Sequence, residues 1–183
     1  RRSTLSVQRL GMLESWYDGD AHQWIRKSVN RPIERFDAMT FAGRYLGWLR
    51  DALPPHCPEP QLWRDANALL DTLAEPTLPH AEARLGLAGL ALLAELGWGL
   101  QFESCVRCGR PCEPGRAALV SPQDGGLVCR DCGGGPHLLT GPQRDALLAA
   151  RSSPQASLAE LPGALLCTLV DDALRSHTQG RSA

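Results

Sequence analysis

Cys105-Val-Arg-Cys108, twenty intervening residues and Cys129-Arg-Asp-Cys132 form a double CxxC spacing, and that spacing is the one a tetrahedral Zn²⁺ site uses. Each CxxC turns two thiolates to one side of a tight knuckle, and a hairpin between the knuckles brings the second pair back to complete four ligands at about 2.3 Å. Gly109 and Gly133 each follow a knuckle, where the backbone commonly needs a positive φ. A set of four cysteines without histidine leaves no coordination position for water, so Cys105, Cys108, Cys129 and Cys132 are expected to hold a structural Zn²⁺ that folds the chain rather than reacts. Two other readings of the same residues are a labile redox cluster and a pair of disulfides. Cys112 lies close enough in sequence to replace Cys108, and spacing alone leaves that choice open.

Catalysis would need other residue types. His80-Ala-Glu82 upstream of a CxxC resembles half of the zinc deaminase signature, which joins H-x-E to P-C-x-x-C. Ser104 rather than proline precedes Cys105, and Pro111-Cys112 has Gly115 where the next ligand belongs. His80 and Glu82 are therefore expected on the polar first turn of a helix. No Ser-His-Asp set, phosphate-binding glycine loop or carboxylate pair stands out, and a non-enzyme without a small-molecule substrate is expected.

Basic residues offer a different chemistry. Residues 1–50 carry nine basic and five acidic side chains, whereas 51–100 carry two and seven, within a total formal charge of −1. Arg26, Lys27, Arg31 and Arg35, with Arg1, Arg2 and Arg9, can track a phosphate backbone while Trp16 and Trp24 stack on bases; the plain alternative is a solvated surface. Arg107 and Arg130, with Arg110 and Arg116, surround the knuckles and offer a second basic surface for nucleic acid or a protein partner.

These side chains need a scaffold, and 183 residues with 43% apolar content suffice for one core or a larger domain with a small appendage. No apolar run approaches bilayer-spanning length and the arginine-rich start lacks a signal-peptide core, so no membrane association and a reducing, cytoplasmic location are expected. Cys57 and Cys167 read as ordinary buried residues.

Apolar periodicity predicts a helix over 34–53 ended by Pro54-Pro55, a second between Pro60 and Pro76, and a third over 79–96 that is apolar on nearly every side and capped by Gly97. Gly86 and Gly89 within the third cost about 1 kcal/mol each against alanine, which predicts a neighbouring helix at close approach. Thr140 and Pro142 open a fourth helix through Arg151, and Ser157-Leu-Ala-Glu160 has the form of a capping box for a last amphipathic helix that includes Pro162 in its first turn. Between the knuckles, 117–120 and 126–129 read as two strands joined by a turn. The expected architecture is mainly α: an uncertain segment 1–30, a helical domain over 31–102 and 136–183, and a Cys₄ zinc-ribbon insertion over 103–135.

Leu90-Ala-Leu-Leu-Ala-Glu-Leu-Gly-Trp-Gly-Leu100, the Cys-x-x-Cys-Gly knuckle and Leu119-Val-Ser-Pro-Gln-Asp-Gly-Gly-Leu-Val-Cys-Arg-Asp-Cys132 together resemble the RecO family of bacterial recombination mediators, over roughly residues 34–180. That family joins an N-terminal OB barrel, a helical domain and an inserted zinc module. Here the barrel is expected to be largely absent, with residues 1–12 at most supplying its last strand. The resemblance implies DNA repair and homologous recombination through single- and double-stranded DNA binding, strand annealing, contact with RecR and with the C-terminal tail of single-stranded DNA-binding protein, and help in loading RecA. The rival reading is a zinc-ribbon adaptor on a helical bundle in transcription or complex assembly.

Overall fold

Helical periodicity in the sequence becomes five α-helices in the computed structural model, which describes residues 36–53, 59–75, 77–153 and 156–178. Arg26, Lys27, Arg31, Arg35, Trp16, Trp24, Cys57 and the strand expected near the start lie outside the described residues. The described chain forms two compact units that divide between Ala81 and Glu82.

In the first unit, α1 (Phe36–Ala52) buries Ala38, Ala42, Tyr45, Trp48, Leu49 and Ala52, the three-and-four spacing of one helical face. Asp37 in its first turn and Arg50 in its last complement the helix dipole. α2 (Pro60–Leu73) starts on a proline, whose missing N–H costs nothing at that position, and packs on α1 through Leu62, Ala66, Leu69 and Leu73. Burial, reinforced by the charge of Asp65, pushes the Tyr45 phenol above its ordinary pKa.

The second unit is built on α3 (Ala81–Glu95) and α5 (Gly163–Thr178). Leu85, Leu92 and Leu93 of α3 and Leu166, Leu169 and Val170 of α5 are excluded from solvent. α3 ends in a Schellman arrangement, with Trp98 N donating to Leu93 O at 2.7 Å and Gly97 N to Ala94 O at 3.0 Å. Small residues let the two helices meet: a Cβ on Gly86 would stand 2.5 Å from Leu166 Cβ, and Cys167 Sγ lies 3.8 Å from Glu82 O. Gly86→Ala should therefore cost about 1–3 kcal/mol by overpacking, read as a lower denaturant midpoint, and the penalty should shrink beside Leu166→Ala. A Gly86→Ala protein as stable as the parent would contradict the close approach.

The last helix starts later than its sequence pattern predicts. Ser157 caps no helix; its Oγ accepts only from Ala159 N at 3.3 Å, and α5 begins at Gly163. Pro162 is the reason, because proline disfavours helical geometry in the residue before it and suits a helix start. α4 (Gly141–Ser152) does carry a capping box, with Thr140 Oγ1 accepting from Gln143 N and Gln143 Oε1 from Thr140 N.

Between α3 and α4 lies a three-stranded antiparallel sheet in the order β2-β1-β3, from β1 (Ala118–Ser121), β2 (Gly126–Leu127) and β3 (His137–Leu139). Val120 pairs with Leu127 on one side and with His137 on the other. The predicted hairpin is present, with its second strand shorter than expected and its turn folded as a 3-10 segment over Pro122–Asp124. β3 has no counterpart among the strands that the sequence pattern predicts. The turn packs on α5, where His137 Nε2 also lies 2.6 Å from Asp172 Oδ2.

Candidate metal centre

The first knuckle hangs from short backbone bonds. Cys105 N donates to Arg110 O and Gly109 N to Cys105 O, each at 2.8 Å, while Val106 N reaches Leu127 O of β2 at the same distance. The second is a 3-10 turn over Arg130–Cys132, in which Cys132 N and Gly134 N both donate to Cys129 O at 3.0 Å. Gly109 (φ 71°) and Gly133 (φ 102°) adopt the left-handed backbone that their positions after the knuckles predicted.

This backbone brings the sulfurs of Cys105, Cys108, Cys129 and Cys132 within 4.8 Å of one another, with Cys108 Sγ and Cys129 Sγ 3.7 Å apart. A tetrahedral zinc with bonds of about 2.3 Å separates its sulfurs by about 3.8 Å, so the four residues fit that ion. Cys105 is buried, Cys129 and Cys132 are half-buried and Cys108 is exposed. Ala118, Leu127 and Val128 back the site with an apolar floor against Cys105.

Cys112 does not join the group. Its N–H donates to Glu103 O, its carbonyl accepts from Arg144 Nη2 at 2.5 Å, and its sulfur faces Arg116 O at 4.0 Å. Pinned on both sides, it packs beside the site without entering it. His80 is likewise absent from the cluster.

Protons and a cation compete for these sulfurs. Backbone N–H groups, first that of Cys129 at 3.3 Å, hold Cys105 down to about 6 against the opposing effect of burial. Hydrogen bonding to Cys129 and Cys108 pushes Cys132 upward. A metal displaces the protons, so its binding weakens as pH falls.

Arginines ring the centre in two kinds. Arg107 donates from Nε and Nη2 to Asp124 Oδ1 at 3.1 and 2.9 Å and from Nη1 to Cys132 O at 2.7 Å, which ties the first knuckle to the hairpin turn and the second knuckle. The Ser121 hydroxyl at 2.6 Å, then Arg107, keep the Asp124 carboxyl below its usual range. Arg110 pairs with Asp131. Arg130 is exposed, and its side chain makes no hydrogen bond or ion pair with another described residue. Residues 103–133 hold four arginines against Glu103, Glu113, Asp124 and Asp131, and a zinc with four thiolates adds a net charge of about −2.

One organising residue gave little sign of itself in the sequence. Arg144 of α4, 2% exposed, donates to Phe102 O at 2.8 Å, Glu113 O at 2.9 Å and Cys112 O at 2.5 Å, and neighbouring Asp145 accepts from Gly115 N at 2.7 Å. The only signal for it was an arginine at helical spacing with buried Leu147, on the face that α4 turns inward.

Comparison with known proteins places this arrangement among relatives. The family profile described as "Recombination protein O C terminal" matches residues 34–161. The chain is 33% identical over 141 residues to the DNA repair protein RecO of Pelobacter propionicus, covering 75% of this chain and 56% of that protein. It is 34% identical over 93 residues to the protein of that name from Xanthobacter autotrophicus, covering 51% and 36%. For Methylobacterium nodulans the figures are 35% over 97 residues, 53% and 35%. The chain thus spans about half, or less, of the length of these relatives.

Proposed function

The chain belongs to the recombination protein O family, and from that premise we propose that it serves DNA repair and homologous recombination as a non-catalytic mediator built around a structural Zn²⁺. The family match across residues 34–161 carries the reading, since it covers α1 to α4 and the cysteine module. Four protein sulfurs fill a tetrahedral ion, which favours a scaffold over a Lewis-acid centre. In this reading the chain acts in the cytoplasm; no helix among the described residues is long and apolar enough to cross a membrane.

Its partners are single- and double-stranded DNA, RecR and the C-terminal tail of single-stranded DNA-binding protein, and the outcome is strand annealing and RecA loading. DNA binding falls to Arg26, Lys27, Arg31 and Arg35 together with Arg107 and Arg130. Arg130 is the freer of the ribbon pair, because Arg107 is already committed to Asp124. With its arginines balanced by carboxylates and about −2 added by the zinc thiolates, the ribbon is net negative, which puts more of the phosphate binding on the first cluster.

Fluorescence anisotropy with labelled single-stranded DNA tests this. Affinity should fall steeply with salt, and charge reversal at Arg26, Lys27 and Arg31 should flatten that dependence by about one unit of slope for each phosphate left without its cation. Binding insensitive to both salt and charge reversal would remove the proposed DNA surface. Failure to capture the acidic tail peptide of single-stranded DNA-binding protein would remove that partner.

A further inference from the structure

The four sulfurs differ sharply in their access to solvent. Cys108 is exposed at the tip of the first knuckle, whereas Cys105 is 1% accessible beneath it. A close approach between the two knuckles joins that exposed sulfur to Cys129, at 3.7 Å. A thiolate is the oxidisable form of cysteine, and a metal keeps its ligands deprotonated, so susceptibility here follows access.

We propose that this centre is an oxidant-sensitive zinc knuckle, in which peroxide enters at Cys108, Cys129 resolves the product as a disulfide, and the metal is expelled. The inference rests on the zinc reading above. The Cys108 thiolate attacks one peroxide oxygen, the O–O bond breaks, and Cys108 sulfenic acid and hydroxide form. The Cys129 thiolate then attacks the Cys108 sulfur; the S–S bond forms, the S–O bond breaks and a second hydroxide leaves. Two thiolates have lost two electrons to one peroxide. Each knuckle has given up one ligand, so Cys105 and Cys132 alone remain to the ion.

The fold confines the damage. Arg144 grips the carbonyls of Phe102, Cys112 and Glu113 without using any metal ligand, so the base of the module stays docked on α4 while the knuckles open. Cys112, fixed by its own backbone bonds, is a bystander.

The test begins with the reduced, purified chain, whose zinc is counted by elemental analysis before any oxidant is added. Hydrogen peroxide is then titrated in while a chromogenic chelator reads free zinc and differential alkylation with mass spectrometry maps the disulfides. The expected result is loss of the single zinc in step with a Cys108–Cys129 disulfide, reversed by dithiothreitol plus zinc, with an unchanged rate in Cys112→Ser. Zinc that stays bound as peroxide is consumed, or a first disulfide that contains Cys105 or Cys112, would overturn the proposal. A chain with no zinc at the outset would instead bring down the metal reading on which it stands.

Discussion

Cys105→Ser protein should emerge from purification without zinc, and residues 103–133 should exchange their amide hydrogens at the rate of an unfolded chain. The effect is expected to be the largest available from one substitution, because apparent free energies of structural zinc binding run to about 10–16 kcal/mol and are also the folding free energy of the module. Cys105 does two things at once: it supplies a sulfur to the cluster and plugs the apolar floor made by Ala118, Leu127 and Val128. An oxygen in its place still accepts from the Cys129 N–H but is a poorer zinc ligand than a thiolate, and it puts a polar group on that apolar floor. Cys112→Ser is the matched control and should keep its zinc, since its sulfur lies outside the group of four. Zinc lost from Cys112→Ser but retained by Cys105→Ser would show that the ligand set is wrong.

Arg144→Met should lower stability by about 1–3 kcal/mol, the cost of leaving a buried carbonyl without its donor. The guanidinium donates to three backbone carbonyls; Glu113 O also accepts from Arg116 N at 3.3 Å, whereas Phe102, whose carbonyl is another of the three, is wholly buried. Arg144→Lys should recover only part of the loss, because one ammonium cannot span three acceptors that a planar fork reaches together. Equilibrium denaturation of the zinc-loaded protein gives the number. A Met variant within about 0.5 kcal/mol of the parent, the ordinary range for a surface substitution, would mean that Arg144 is not the clasp between module and helix.

Some of this was legible from the sequence because it is local. The cysteine cluster, the knuckle glycines, the hairpin and the faces of α1 and α2 depend on residues near each other in the chain, so spacing and period carry them. α5 shows where local patterns compete: Ser157-Leu-Ala-Glu160 has cap-like residues, yet Pro162 decides the start. What escaped was long-range. β3 is three residues that become a strand only by pairing with β1, and Arg144 looks like any surface arginine until its partners 31 to 42 positions away are brought to it. The same holds for Arg107, whose positive charge counts toward a basic surface in the sequence but is met by Asp124 in the fold.

The resulting picture is a ribbon in which Arg107 and Arg110 are met by Asp124 and Asp131, seated by a buried arginine on a helical body, with four sulfurs close enough to hold a metal. The proposed role in recombination follows from the family rather than from any reactive group.

X-ray absorption at the zinc edge on the reduced, purified chain reads the ligand shell of the proposed metal centre. One zinc per chain is expected, with a shell of four sulfurs at about 2.3 Å and no nitrogen or oxygen neighbour. A shell containing nitrogen or oxygen, or a chain that carries no zinc, would contradict it.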